Sequence, residues 1–173
     1  LNFLGSLFTM FFRIPIYLDS LGTVFIAQTL GLKYAIFTSI AGSLLNSLYD
    51  SVALYFIPVG IINAVVANYL FSKTKSSKLT KAFILSIPAC IASALITAYI
   101  FNGVTTSSSS ILLQLLRTSG LSLLASTLII QAITDFADKY IMIQLSDIII
   151  RRIPNDLKMS LIFDDYKKGK KNN

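Results

Sequence analysis

A chain of 173 residues that is 54% hydrophobic and only 13% charged falls far below the roughly 25% charged residues of soluble domains, which excludes an ordinary water-soluble fold and points to one small membrane domain. The net charge of +7 does not indicate nucleic acid, because the basic residues lie in short tracts between and after apolar runs, the topological pattern of membrane proteins. No His, a single Cys and eight acidic residues that are all Asp argue against zinc or haem, leave no internal disulfide, and give a thin catalytic inventory.

A span needs about 20 apolar residues, so a chain of this length has room for roughly five to seven. The first apolar run, 1–12, is short, carries Gly5 and Ser6, and reads as an incomplete first helix whose beginning lies before Leu1. Arg13-Ile14-Pro15-Ile16-Tyr17-Leu18-Asp19 follows, and Pro15 pushes Ile14 out of helical geometry, so 13–19 is a loop. Asp19 or Ser20 is placed to cap a second helix over 21–30, which Gly31 ends in a left-handed turn.

A third helix spans 32–48, with Ala35, Ser39 and Ser43 on one small-residue stripe suited to close helix approach in lipid. The fourth, 52–71, contains Pro58, expected to kink it, and Asn63. A basic linker over 73–81 precedes a fifth span, 82–104, with Pro88 and the small residues Ala89, Ser93, Ala94, Thr97 and Ala98. Residues 105–110 are a polar loop, 111–116 a short apolar segment ending at Arg117, and Gly120 breaks it.

The run 121–153 exceeds a bilayer core of about 30 Å at 1.5 Å per residue. The membrane part is therefore expected from Thr134 to Ile153, with the earlier portion a loop helix or extension at the outer surface. This places Asp135, Asp138 and Lys139 near the outer end of the last span. Pro154 ends the helix, and 155–173 reads as a basic cytoplasmic tail whose Lys167, Lys168, Lys170 and Lys171 meet anionic lipid heads. Basic residues set the orientation: Lys33, the 73–81 linker and the tail from Arg151 share one side, leaving Arg13 and Arg117 on the other. The first side is cytoplasmic, with both termini inside and loops 13–19, 49–51 and 104–120 outside.

Ionisable groups in a membrane are costly and tend to mark interiors or wet cavities. Asp135 and Lys139 share a helix face four residues apart, either as a surface pair or as groups facing a ligand. Asp138 flanks that face, within reach of Arg117 or Arg13. Those two arginines oppose the topology bias, which suggests a partner: an aspartate or an anionic ligand group. Tyr17 can stack on a flat ring or anchor the interface. Asn46 and Asp50 end the third helix, Tyr55 lies two turns above Asn63 on the fourth, and Asn102 borders the polar loop. All eleven are candidate ligand-binding residues. Asp147, four before Arg151, reads as a structural pair or docking residue. The expected pocket lies between the outer halves of the fourth to sixth helices, closed by loops 13–19 and 104–120.

Six short helices with both termini inside, Pro-x-Tyr-Leu-Asp-Ser-Leu-Gly-Thr at 15–23, Asp138-Lys139 on the last helix and Arg-Arg-Ile-Pro at 151–154 resemble the substrate-binding S components of energy-coupling factor (ECF) vitamin transporters. The resemblance implies an all-α, six-transmembrane-helix bundle in the bacterial cell membrane, in residues 1–154, that captures a vitamin-like micronutrient from outside. It also implies docking on a separate module, one coupling membrane protein with two ATPases, and a toppling motion that releases the cargo inward. The family's Ala-x-x-x-Ala docking motif is absent from the visible first helix, and no Walker A motif is present, so ATP hydrolysis falls to the partner. No cofactor and no catalysis are expected. Two other classes stay open: a self-sufficient secondary transporter or channel using Asp135, Asp138 and Asp147, and a membrane sensor or assembly subunit. Ligand charge is not legible, and pyridoxine-, riboflavin- and benzimidazole-like compounds all fit.

Overall fold

The computed structural model describes residues 1–154; the basic tail expected over 155–173 lies outside the described residues. Local chemistry sets most helix boundaries. Gly31, with φ 84°, turns the chain between α2 (Leu21–Thr29) and α3 (Leu32–Asn46), following α1 (Asn2–Phe11). Asp50 accepts the Val52 N–H at 3.0 Å and opens a 3-10 turn, Ser51–Phe56, which leads into α4 (Ile57–Lys73). Ser77 Oγ accepts from Thr80 N at 3.2 Å and starts α5 (Lys78–Leu95), which a π-helical turn, Ile96–Ile100, extends. After α6 (Ser109–Arg117), Ser122 Oγ accepts from Ala125 N at 3.3 Å and begins α7 (Leu123–Arg152). Among the described residues the fold is all-helical, with no strand. Two helical stretches, Ser51–Lys73 and Lys78–Ile100, are long and apolar enough to cross a membrane.

Four expectations need correction. Pro58 does not kink a helix; it lies in the first turn of α4, where a missing N–H costs nothing. Neither Asp19 nor Ser20 caps α2, because the Ser20 hydroxyl donates to Asp19 Oδ1 at 3.2 Å instead. The basic linker narrows to 74–77, since Lys78–Lys81 already form the first turn of α5. Of the two readings of 121–153, the separate loop helix is not found: α7 is one continuous helix of 30 residues, about 45 Å long. With no Gly or Pro between Ser122 and Ile153, nothing in that stretch breaks it.

α5 and α7 share the most extensive interface, built on the small α5 residues Ala82, Ala89, Ser93 and Ala94, all buried. Short α2 sits centrally against α3, α4 and α7. Room for it comes from glycine. Asn2 enters between α2 and α3, accepting from Thr23 N at 3.1 Å and donating to Thr23 Oγ1 at 2.9 Å. A Cβ on Gly42 would stand 2.6 Å from Asn2 Nδ2, and one on Gly22 2.8 Å from Asn2 Oδ1.

The side-chain distribution is inverted relative to a soluble protein. Large apolar residues such as Phe11, Phe37, Leu48, Tyr99 and Ile133 face outward, while Asn63, Gln131, Asp135, Asp138 and Lys139 are buried. Three levels stack along the bundle. Leu70, Ala67, Leu85, Ala82, Ala35, Met142 and Ile143 form an apolar plug at the end where α4 and α7 finish and α3 and α5 begin. Polar residues of the same helices, one to three turns away, enclose a cleft. Beyond it, the 13–17 and 104–114 segments border an open vestibule.

Candidate binding site

α7 supplies the centre of the cleft. Asp138 and Lys139 are adjacent in sequence, and neighbouring helix residues do not normally face each other. The long lysine nevertheless bends back, and Lys139 Nζ meets Asp138 Oδ2 at 2.9 Å with both side chains buried. Asp138 Oδ1 also accepts the backbone N–H of Leu18 at 2.9 Å, fixing the loop before α2 over α7. Leu18 has φ 45°, a left-handed conformation rare for a branched residue. One turn earlier on α7, Asp135 Oδ2 accepts from Ser93 Oγ of α5 at 3.1 Å.

The remaining walls come from the loop and from α3, α4 and the 3-10 turn. Tyr17, Asp19 and Ser20 face Ser39, Ser43, Phe56, Val59, Gly60 and Asn63 across a narrow cleft whose free interior is about 30 Å³. Gly60 lets α3 and α4 close up, since a Cβ there would collide with Ser39 Oγ. Asp19 and Tyr17 are half-buried and line the void. Burial pushes the Asp19 carboxyl above its ordinary range, partly offset by the Lys139 charge, and burial also raises the Tyr17 phenol.

Hydrogen-bond direction leaves acceptors facing the cleft. The Ser20 hydrogen goes to Asp19, so Ser20 Oγ must accept from Asn63 Nδ2, at 3.3 Å. Asn63 Oδ1 is then left without a partner. Gln131 donates through Nε2 to Thr97 Oγ1 at 3.4 Å, and its Oε1 is likewise unpartnered. Both residues are buried and both line the cleft.

Tyr17 lines the cleft and the vestibule alike, and its OH shares a 3.0 Å hydrogen bond with Ser109 Oγ at the start of α6. The vestibule is open to one side, offers about 540 Å³ and is bordered by Arg13, Tyr49, Asp50 and the 104–111 segment. Thr106 donates to Asp50 Oδ2 at 2.6 Å, bracing one rim against the other.

Of the eleven candidate residues, Tyr17, Asn63, Asp135, Asp138 and Lys139 are brought together in the cleft. Arg13 and Asp50 line the vestibule. Asn46, Tyr55, Asn102 and Arg117 border neither space. Asn46 is buried at the end of α3, Tyr55 packs edge-on against Phe101 at 5.1 Å, Asn102 is an exposed turn residue with φ 49°, and Arg117 is exposed in the last turn of α6. Asp138 does not bond Arg13 or Arg117; its partners are Lys139 and Leu18. Nor does the charged cluster sit near an outer helix end: it lies at the middle of α7, enclosed on all sides. Asp147 does form a structural pair, with Arg151 at 3.1 Å and with Lys78 of α5 at 2.5 Å.

Sequence reading missed Asp19, Ser20, Ser93 and Gln131. Asp19 and Ser20 look like helix caps and Ser93 like part of a packing stripe. Gln131 carried a usable signal, as a lone amide inside the apolar run before Asp135. Comparison with protein-family models, curated proteins and solved structures finds no match to this chain.

Proposed function

We propose that this chain is the substrate-capture subunit of an ECF-type importer in the bacterial cytoplasmic membrane. It binds a small vitamin-like or heterocyclic micronutrient from outside and hands it to a separate module of one coupling membrane protein and two ATPases. In this reading the bundle has six spans, with both termini cytoplasmic: the short helices α1, α2 and α3, the stretches Ser51–Lys73 and Lys78–Ile100, and α7. Helix α6 lies in the last outer loop.

The observation that carries the proposal is the stack of vestibule, polar cleft and apolar plug on one axis. A ligand entering from the vestibule side meets placed polar groups and aromatic walls, the usual make-up of a small-molecule pocket. The plug of Leu70, Leu85, Met142 and Ile143 then stands across onward passage, so release needs a rearrangement, which in this reading the ATP-driven module supplies. The outward apolar side chains and buried polar ones fit a lipid surround. Vestibule and basic linker lie at opposite ends, in keeping with an outward-facing opening.

Uptake in proteoliposomes tests this function. The chain alone, under an imposed proton or sodium gradient, should bind growth-medium micronutrients without accumulating them. Accumulation should appear only when the ATP-driven module is co-reconstituted. Accumulation by the chain alone would make it a self-sufficient transporter and contradict the proposal.

A further inference from the structure

The cleft holds more carboxyl groups than cations: Asp19, Asp135 and Asp138 line it against the single ammonium of Lys139. Arg13 stands out in the vestibule and Arg117 borders neither space, so no second cation from the described residues reaches the cleft. Unbalanced buried carboxylates are costly in a low-dielectric interior. Lys139 Nζ gives one of its N–H bonds to Asp138, and Leu18 N donates to the same carboxylate, whereas Asn63 Oδ1 and Gln131 Oε1, both buried, have no donor at all.

We propose that the cleft takes the positively charged, donor-rich head of a small organic cation: an ammonium, an amidinium or a protonated ring nitrogen. This rests on the capture reading above and names its substrate class. Asp135 and Asp19 supply the countercharge, and Asn63 Oδ1 and Gln131 Oε1 accept the head group's N–H bonds. Tyr17 and Phe56, on the same walls, offer aromatic faces that attract cations. A bare metal ion fits less well, because among the described residues no three Asp, Cys or His side chains are grouped to hold one. An anionic head would meet three carboxyl groups against one lysine already paired with Asp138, and a neutral one would bring no countercharge for Asp19 and Asp135.

Three probes that share a ring and differ in head-group charge decide the matter: benzylammonium, benzyl alcohol and benzoate, titrated calorimetrically into the detergent-solubilised full chain. Benzylammonium should bind at least tenfold tighter than either other probe. Asp135→Asn and Asp19→Asn should each weaken it at least tenfold. Each should also leave the unfolding temperature of the ligand-free protein unchanged or raised, since each replaces a carboxyl whose charged form is costly to bury. Equal or tighter binding of benzoate or benzyl alcohol would overturn the cation assignment. So would no binding of benzylammonium, or an affinity that neither substitution changes. These outcomes are separable from failure of the importer reading, which is read from module-dependent uptake: a cation-selective cleft without such uptake contradicts the importer alone.

Discussion

Asp138 joins three parts of the molecule: its own helix through Lys139, the loop before α2 through Leu18, and the wall of the cleft. Holding Leu18 at φ 45° costs on the order of 1–3 kcal/mol. A backbone N–H bonded to a charged acceptor returns about 1.5–3 kcal/mol, so the bond and the strain are of matching size. Removing the carboxylate strands a buried ammonium and releases the strained loop. Asp138→Ala should therefore destabilise the protein by about 3–5 kcal/mol. Replacing both ions, as Asp138→Asn with Lys139→Met, should recover much of that loss, because the uncompensated charge is gone. Thermal unfolding in detergent compares the two; equal destabilisation would mean the ion pair is not the cause. The existence of this cluster was legible from three charges within an apolar run. Its depth was not, because run length alone suggested a divided segment that would bring the charges to the rim. Arg13 and Arg117 stood out by opposing the topology bias, but at a wet rim a charge costs little, and neither reaches the cleft.

At the scale of elements, two short helices depend on close packing. Asn2 bridges α1 to α2 and α3, and it fits only because Gly22 and Gly42 leave space. Alanine is intrinsically the better helix residue by about 1 kcal/mol, so a Gly42→Ala substitution would stabilise an isolated helix. Here the new Cβ meets an Asn2 side chain pinned by bonds to Thr23 and Thr38, which has nowhere cheap to move. The expected net result is a loss of about 1–3 kcal/mol, the usual penalty for overpacking. A rise in unfolding temperature would show that α1 yields easily. The order of the helices followed from apolar runs, Gly31, Gly120 and the basic tracts, whereas the expected six helices are seven among the described residues, because 109–117 forms one of its own. Pro58 misled because proline reads alike in the first turn of a helix and in its interior. The continuity of α7 was left open because an apolar run longer than one bilayer span fits either a separate loop helix or an extension of the last helix.

For the whole molecule, the all-helical architecture and its greasy exterior were written in the composition. The arrangement of vestibule, cleft and plug was not, since it depends on which faces of α3, α4, α5 and α7 meet. Ser39, Asn63, Ser93 and Asp135 are far apart in sequence, and only packing shows that they share one cleft. That shared cleft is the basis for reading the protein as a capture subunit. Native mass spectrometry of the chain gently purified from its own membranes tests this most directly. The account predicts one tightly held small molecule per chain, present in the native protein and lost in Asp135→Asn. A chain that carries no small molecule after growth in complete medium would contradict it, and a bound molecule that persists unchanged in Asp135→Asn would contradict the cation assignment alone.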